Sequence, residues 1–251
     1  MCRAKTGVDI SIGPNTGAVY SNSLSTNFDG TNDTGATAGL ANLNPSGLTG
    51  FTASIWLKST ATTDTSIFGS WEYTALQRQW LIFFNTAGRL QFAYSTDGNA
   101  QSVHTANSGD VADGNWHHLV CIWRQSNSPL LYLDNVSLSY GSSGTTNVST
   151  IANFNNPVMV GAVGVAGTVQ YLNGNLDEPS MWNKALSASE VSELYNSGAP
   201  ADLNSHSASA NLMAWWRMGD GDTFPTISDQ VNSSDITLNN MVSGDIVEDV
   251  P

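Results

Sequence analysis

The chain is poor in the residues that would tie it to a disulfide framework, a nucleic acid or a membrane. Two cysteines in 251 residues, Cys2 and Cys121, do not make a disulfide scaffold. Cys121 sits inside an apolar run and reads as a core thiol. Basic residues are scarce: eight Lys and Arg stand against 21 Asp and Glu, a formal net charge of −13. Phosphate recognition relies on clustered Lys and Arg, so this balance excludes nucleic acid and anionic membrane surfaces as partners. Neutral ligands, cations and basic proteins are left. No apolar run approaches the roughly 18 residues of a membrane-spanning helix. The opening MCRAKTGVDISIG carries no apolar stretch of the secretory kind, which leads to the expectation of folding in a reducing cytoplasm.

What is present is Ser, Thr, Asn and Gly, the residues of turns and of strands with one wet face. The dominant period is two. FTASIWLK (51–58) sets Phe51, Ala53, Ile55 and Leu57 against Thr52, Ser54, Trp56 and Lys58. Similar short runs occur at 80–85, 89–95, 117–124, 130–135, 158–163 and 175–183. Turn signals divide them, among them Asp97-Gly98, Asp113-Gly114 and Asn127-Ser128-Pro129. Many close-spaced strands without alternating helices imply a sandwich or barrel. One helix is expected near 188–196. Ser187 and Glu190 make a capping box, Leu186 and Val191 a hydrophobic staple, and Gly198 and Pro200 a stop. NLMAWWRMG (211–219) reads as one more apolar strand. Beyond Arg217 there are seven acidic residues and no Lys or Arg, which reads as a solvated acidic tail.

The stretch DGNWHHLVCIWRQSNSPLLYLDNV (113–136) concentrates two histidines, two tryptophans and Cys121. Neighbouring residues on a strand point to opposite faces, so His117 and His118 cannot share one small ion without a bend. His104 and His206 stand apart, without zinc-like spacing. No G-x-S-x-G nucleophile turn occurs. The stretch reads as scaffold.

Its pattern, D-G-N-W-H-H-L-V followed by L-Y-L-D-N, resembles the central hairpin of laminin-G-like and pentraxin-type members of the concanavalin A-like jelly rolls. Asn135 stands where glycine is usual in that hairpin, a substitution that tolerates a tight turn. LSTNFDGTND (24–33) resembles the family's entry strand, GFTASIWLK (50–58) the strand that follows, and LNGNLDEPSMWNKALSASEVSELYNSG (172–198) its closing strand and helix. The resemblance implies an all-β, two-sheet antiparallel jelly-roll sandwich with one short helix. Its expected organisation is an N-terminal arm over 1–23, the sandwich over 24–198, and a segment 199–251 returning to the same sandwich before an acidic tail. NLMAWWRMGDGDTFPTISDQVNSSDITLNN (211–240) resembles a segment that precedes the entry strand in many bacterial members, which implies either a second copy cut short or, the favoured reading, a circular permutation.

Three kinds of site follow as expectations. The family's entry and closing strands are neighbours, which would bring Asp29 and Asp177 together, with Asp33 near, as oxygen ligands for Ca2+. The other reading has Asp29 and Asp33 capping a turn and Asp177 taking hydrogen bonds. GSWEYTALQRQW (69–80) reads as a loop mixing aromatic and polar groups, so Trp71, Tyr73, Gln77 and Arg78 are the carbohydrate candidates, against rim packing as the plainer reading. A glycosidase needs two carboxyl groups on one face. Asp177 and Glu178 are adjacent and oppose each other on a regular strand, and no E-x-D-x-x-E occurs, so no enzyme is expected.

The acidic C-terminal region resembles modules of marine tailed-phage structural proteins. The resemblance implies a virion protein, a capsid decoration or a fibre and adhesion module. Its implied partners are other capsid or tail proteins, further copies of itself and a host-surface glycan. The alternatives are a glycan-binding module of a secreted, extracellular bacterial protein and, third, a glycoside hydrolase.

Overall fold

The computed structural model describes residues 20–39, 43–163 and 170–251. Of the arm expected over 1–23, residues 20–23 fall in that range; Cys2 lies outside the described residues. The strands, in chain order, are β1 (Ser25–Asp29), β2 (Thr34–Thr37), β3 (Gly50–Ser59), β4 (Thr65–Glu72), β5 (Gln77–Phe84) and β6 (Leu90–Tyr94). There follow β7 (Ser102–Ala106), β8 (Trp116–Arg124), β9 (Asn127–Leu133), β10 (Val136–Leu138), β11 (Tyr140–Ser143), β12 (Met159–Val160) and β13 (Asn173–Trp182). After the helix α1 (Ala188–Tyr195) come β14 (Leu212–Trp215), β15 (Thr226–Ile227), β16 (Ile236–Asn239) and β17 (Ile246–Val247).

They form two antiparallel sheets, the sandwich with one short helix that the alternation implies. Sheet A runs β10-β9-β8-β3-β13-β1-β17, with β14 also on β13; sheet B runs β11-β7-β6-β5-β4-β12-β2-β16-β15. Period two decides what lies between them. Phe51, Ala53, Ile55 and Leu57 join Trp123, Cys121, Phe68, Trp80 and Phe92 in the inter-sheet core. Burial of the Cys121 thiol pushes its pKa up, so it stays protonated and inert. The alternate residues face outward on sheet A: Thr52 donates to the Lys184 carbonyl at 2.7 Å and Ser54 Oγ meets His118 Nε2 at 2.8 Å.

The outer face of sheet A carries a second apolar layer. Val120, Ile122, Trp182 and Trp215 pack under Leu186, Val191 and Leu194 of the helix and its approach. The capping box forms, with Ser187 and Glu190 exchanging side-chain and backbone hydrogen bonds. The stop differs from the sequence reading: Asn196, in the left-handed conformation at φ 46°, is the C-cap ahead of Gly198. Asparagine reaches that region at low cost because its short polar side chain bonds locally.

Several sequence boundaries shift. Asn127-Ser128-Pro129 is strand rather than turn, because Gln125 and Ser126 (φ 55°) close a two-residue hairpin that pairs Arg124 with Asn127. Asp134 and Asn135, both at positive φ, make the tight turn between β9 and β10. The stretch 69–80, read as a loop, is mostly the β4–β5 hairpin. The acidic tail is also not simply solvated. Among the described residues, β14 and β17 join sheet A, β15 and β16 join sheet B, and Asp220 and Asp229 are buried. Asp229 accepts the N–H groups of Trp215, Val231, Asn232 and Ser234, so its charge organises a loop instead of facing water.

Trp216 shows how deeply this segment is built in: it is fully buried, edge-on to Phe68 of sheet B at 6.2 Å, with its indole N–H on the Ser234 carbonyl at 2.9 Å. Trp216→Ala leaves a large cavity in the inter-sheet core. We expect a loss of about 3–5 kcal/mol in unfolding free energy by denaturant titration. A loss under about 1 kcal/mol, the range of a surface change, would show the C-terminal segment to be an appendage.

Candidate functional site

The histidine pair is scaffold in its geometry. His118 is buried between Trp56 (4.8 Å) and Tyr195 (5.9 Å), and burial lowers its pKa to about 3, so it is neutral. His117 points the other way, with Nδ1 on Asp134 at 2.7 Å and Nε2 on Asp113 at 3.0 Å. The two carboxylates raise its pKa, Asp134 most.

Asp29 and Asp177 are not brought together. Asp29 is opposite Asn173 and Asp177 opposite Trp56, so four residues of β13 separate them, about 13 Å at strand rise. Asp29 accepts the Thr31 N–H at 2.7 Å and Asp33 accepts the Asp29 N–H at 2.9 Å. This is the turn-capping arrangement. Among the described residues no three His, Cys, Asp or Glu side chains converge as a metal site requires, and these three aspartates do not fit a shared calcium ion.

The carbohydrate candidates do meet, at the end of the β4–β5 hairpin, but in a packed form. Trp71 is 2% exposed and so cannot serve as an open stacking platform. Tyr73 meets it edge-on at 6.0 Å, and the Arg78 guanidinium lies 4.9 Å over the Tyr73 ring while donating to the Asn99 carbonyl. Gln77 is opposite Glu72, and its carbonyl accepts from Asn156 at 2.6 Å. Tyr73 is the one exposed aromatic of the four, at 38%.

Asp177 and Glu178 hold the larger surprise. On a regular strand they would oppose each other, but β13 bulges between Asp177 and Ser180, with Glu178 at φ 52°. Both carboxyl groups are buried and interact. Glu178 accepts from Trp215 Nε1, from Tyr20 Oη at 3.1 Å and from Arg217 Nε at 3.4 Å. Asp177 accepts from the Asn22 amide at 2.8 Å. Burial, opposed by these donors, raises Glu178 to about 7, and burial with the Glu178 charge raises Asp177 well above the carboxylate range. The pair faces side chains, not a cleft. Its signal in the sequence was the N-L-D-E-P run itself, where proline after two acids cannot donate to a ladder and favours a bulge.

Beyond the region covered by helix and arm, the outer face of sheet A is polar, with Asn27, Lys58 and Trp116 partly exposed and Asn175 buried. Asn27, Asn175, Lys58 and Trp116 are successive partners across β1, β13, β3 and β8, a row about 14 Å long at strand spacing. A cleft of about 180 Å³ opens here, lined by Asn27, Lys58, Ser59, Thr60, Asn173 and Asn175 among others. Asp249 closes one side, accepting Lys58 Nζ at 2.7 Å and Trp116 Nε1 at 3.0 Å. Asn27 donates to Asn175 at 2.9 Å and Asn175 to Ser25 at 3.2 Å, which orients both amides. Sequence reading missed this site because its residues come from four strands and none belongs to a motif.

The chain belongs to the concanavalin A-like lectin/glucanases superfamily: the laminin-G-type family model matches residues 29–192. Solved structures share the fold. One, from Bacteroides ovatus and provisionally named carbohydrate binding, aligns with a TM-score of 0.64 at 13% identity, over 89% of this chain and 60% of that one. The present chain thus spans less than two thirds of that relative. A heptameric SAP-like pentraxin from Limulus polyphemus aligns with a TM-score of 0.52 at 16% identity, over 70% of this chain and 83% of that one. Among curated proteins no sequence matches.

The His117 contacts set a pH dependence. Its pKa is raised in the folded state, so its contribution is full below the ordinary histidine value of about 6.5 and is lost as pH rises through the raised one. Denaturation midpoints of the parent and His117→Gln, measured across about pH 5 to 9, should therefore diverge on the acid side and converge on the alkaline side. Parallel curves would remove the ion pairs from the account.

Proposed function

We propose that the chain is a non-catalytic glycan-binding sandwich, carried on a phage virion as a capsid decoration or a fibre module. The observation that carries the binding reading is the Asn27–Asn175–Lys58–Trp116 row and its cleft. Amide groups offer donors and acceptors side by side, which suits the hydroxyls of a sugar, and Lys58 uses only one of its three N–H donors on Asp249. The overall charge of −13 disfavours an anionic glycan, so the ligand is a neutral one. The non-catalytic reading rests on Asp177 and Glu178, the one close pair of buried acids described above. Three of their four oxygens accept hydrogen bonds inside the fold, and neither residue lines the cleft. The provisional name of the Bacteroides ovatus structure agrees with binding rather than hydrolysis. The virion assignment rests on the resemblance of the acidic C-terminal region to phage modules.

Calorimetric titration with panels of neutral and acidic oligosaccharides tests the binding reading. A neutral glycan should bind, and Lys58→Ala or Asn175→Ala should each weaken it about tenfold or more, about 1.4 kcal/mol, while the fold is kept. Affinity unchanged in both variants would move the site elsewhere, with the Tyr73–Arg78 corner the next place to substitute. Mass spectrometry of purified virions tests the location, and absence of the chain from intact particles would overturn it.

A further inference from the structure

The segment before β1, residues 20–24, lies on the outer face of sheet A and is held mainly by acids. Tyr20 Oη donates to Glu178, and the Asn22 amide to Asp177 Oδ2 at 2.8 Å. Ser23 donates to Asp220 through its N–H at 2.9 Å and its hydroxyl at 2.5 Å, and the Leu24 N–H reaches the same carboxylate at 3.3 Å. Arg217 lies 4.6 Å over the Tyr20 ring and donates to the Ser21 carbonyl.

One of these contacts is half made. Asp177 Oδ1 and Asn22 Oδ1 are both shut off from solvent and both lack a hydrogen-bond partner. Asp177 as a whole is fully buried. An ionised carboxylate oxygen and an amide oxygen can only accept, so neither can satisfy the other. One proton changes that. A carboxylic acid presents O–H beside C=O, and an amide presents C=O beside N–H. Joined face to face, they form two hydrogen bonds, and both orphan oxygens are accounted for by the same proton.

We propose that Asp177 is held as a neutral carboxylic acid paired at two points with the Asn22 amide, and that loss of this proton frees residues 20–24 from sheet A. The groups around it agree with that assignment. Glu178, next along β13, has three donors including the Arg217 guanidinium and takes the negative charge of the pair. Asp220, in the loop after β14, adds further negative potential, while Arg217 is shared between Glu178 and Asp220. Tyr20 stays protonated through burial. His118, beyond Trp56 on the neighbouring strands, is neutral, and Lys58 is paired with Asp249. No cation is directed at Asp177 itself in these contacts. A group whose proton affinity is raised by folding stabilises fully below its ordinary range, and that contribution is lost as pH rises through the raised value.

Asp177→Asn tests this, because an amide N–H takes the place of the acid O–H. Hydrogen exchange at the Ser23 and Leu24 amides, corrected for intrinsic rate, reads the tether directly. In the parent, protection should fall about tenfold or more between about pH 6 and pH 9, and in Asp177→Asn it should stay high throughout. Asn22→Ala should lose protection at every pH. The parent should also show the infrared carbonyl band of a protonated carboxylic acid near neutral pH, kept in Glu178→Gln and weakened in Asp177→Asn. That band, and its persistence in Glu178→Gln, can be read even if Asp177→Asn fails to fold. Absence of the band, or an equal fall of protection in parent and Asp177→Asn, would overturn the proposal. So would loss of protection in a folded Asp177→Asn already at pH 6, which would indicate an ionised Asp177 bound to a water or a cation.

Discussion

Sheet A depends on one irregularity, the bulge in β13 at Asp177–Pro179. Strand β13 pairs β3 along nearly its whole length on one side. Its other side is divided, with β1 on the first half and β14 on the second. One regular strand could present only a single continuous ladder there. The bulge breaks the ladder where the two partners change over, and it buries two adjacent acids together beneath residues 20–24. Burying acids is costly unless their oxygens are bonded. The donors come from Tyr20 and Asn22 near one end of the described chain and from Trp215 and Arg217 some 200 residues later in sequence. The bulge thus ties both ends of the sandwich to its central strand.

This constraint explains why the C-terminal region is strand and loop rather than tail. Trp215 serves two surfaces at once: it packs in the apolar layer under the helix, and its N–H satisfies Glu178. Residues 226–247 then return to the far edges of both sheets, β15 and β16 beyond β2 and β17 beyond β1. The acidic residues that suggested a solvated tail are, at Asp220 and Asp229, the hubs of backbone N–H groups. A carboxylate that accepts several such bonds organises a loop as a short strand cannot.

What was legible in the sequence is what depends on local period. Phe51 to Lys58 sorted into core and outer face as the alternation of two dictates, and Ser187 with Glu190 capped the helix. The family resemblance carried the two-sheet order, which alternation cannot supply. What was not legible depends on register between distant strands. Asp29 and Asp177 lie on paired strands, but strand adjacency leaves the offset free, and four residues of slip separate the carboxylates. Asp177 and Glu178 were misread for the opposite reason. Period two holds only for a regular strand, and Glu178 at positive φ leaves it. Trp71 looked available because 69–80 seemed a loop; as part of a hairpin, it packs on Leu81 and Ala93.

The outer face of sheet A therefore has three zones along its strands, and their order leaves the proposed binding cleft at the least covered end. At one end Val120, Ile122 and Trp182 need apolar cover, and the helix provides it. In the middle, Asp177, Trp56 and His118 need polar partners and stacking, provided by Asn22, Ser54 and Tyr195. At the far end Lys58 and Asn27 are partly exposed, and the buried Asn175 amide is bonded to Asn27 and Ser25, so nothing in the folding balance requires further cover. A row of partly exposed amide and ammonium groups can persist there without loss of stability. The proposed ligand site on this face lies where its removal of water does not compete with the sandwich's own packing, at the row beside Asp249.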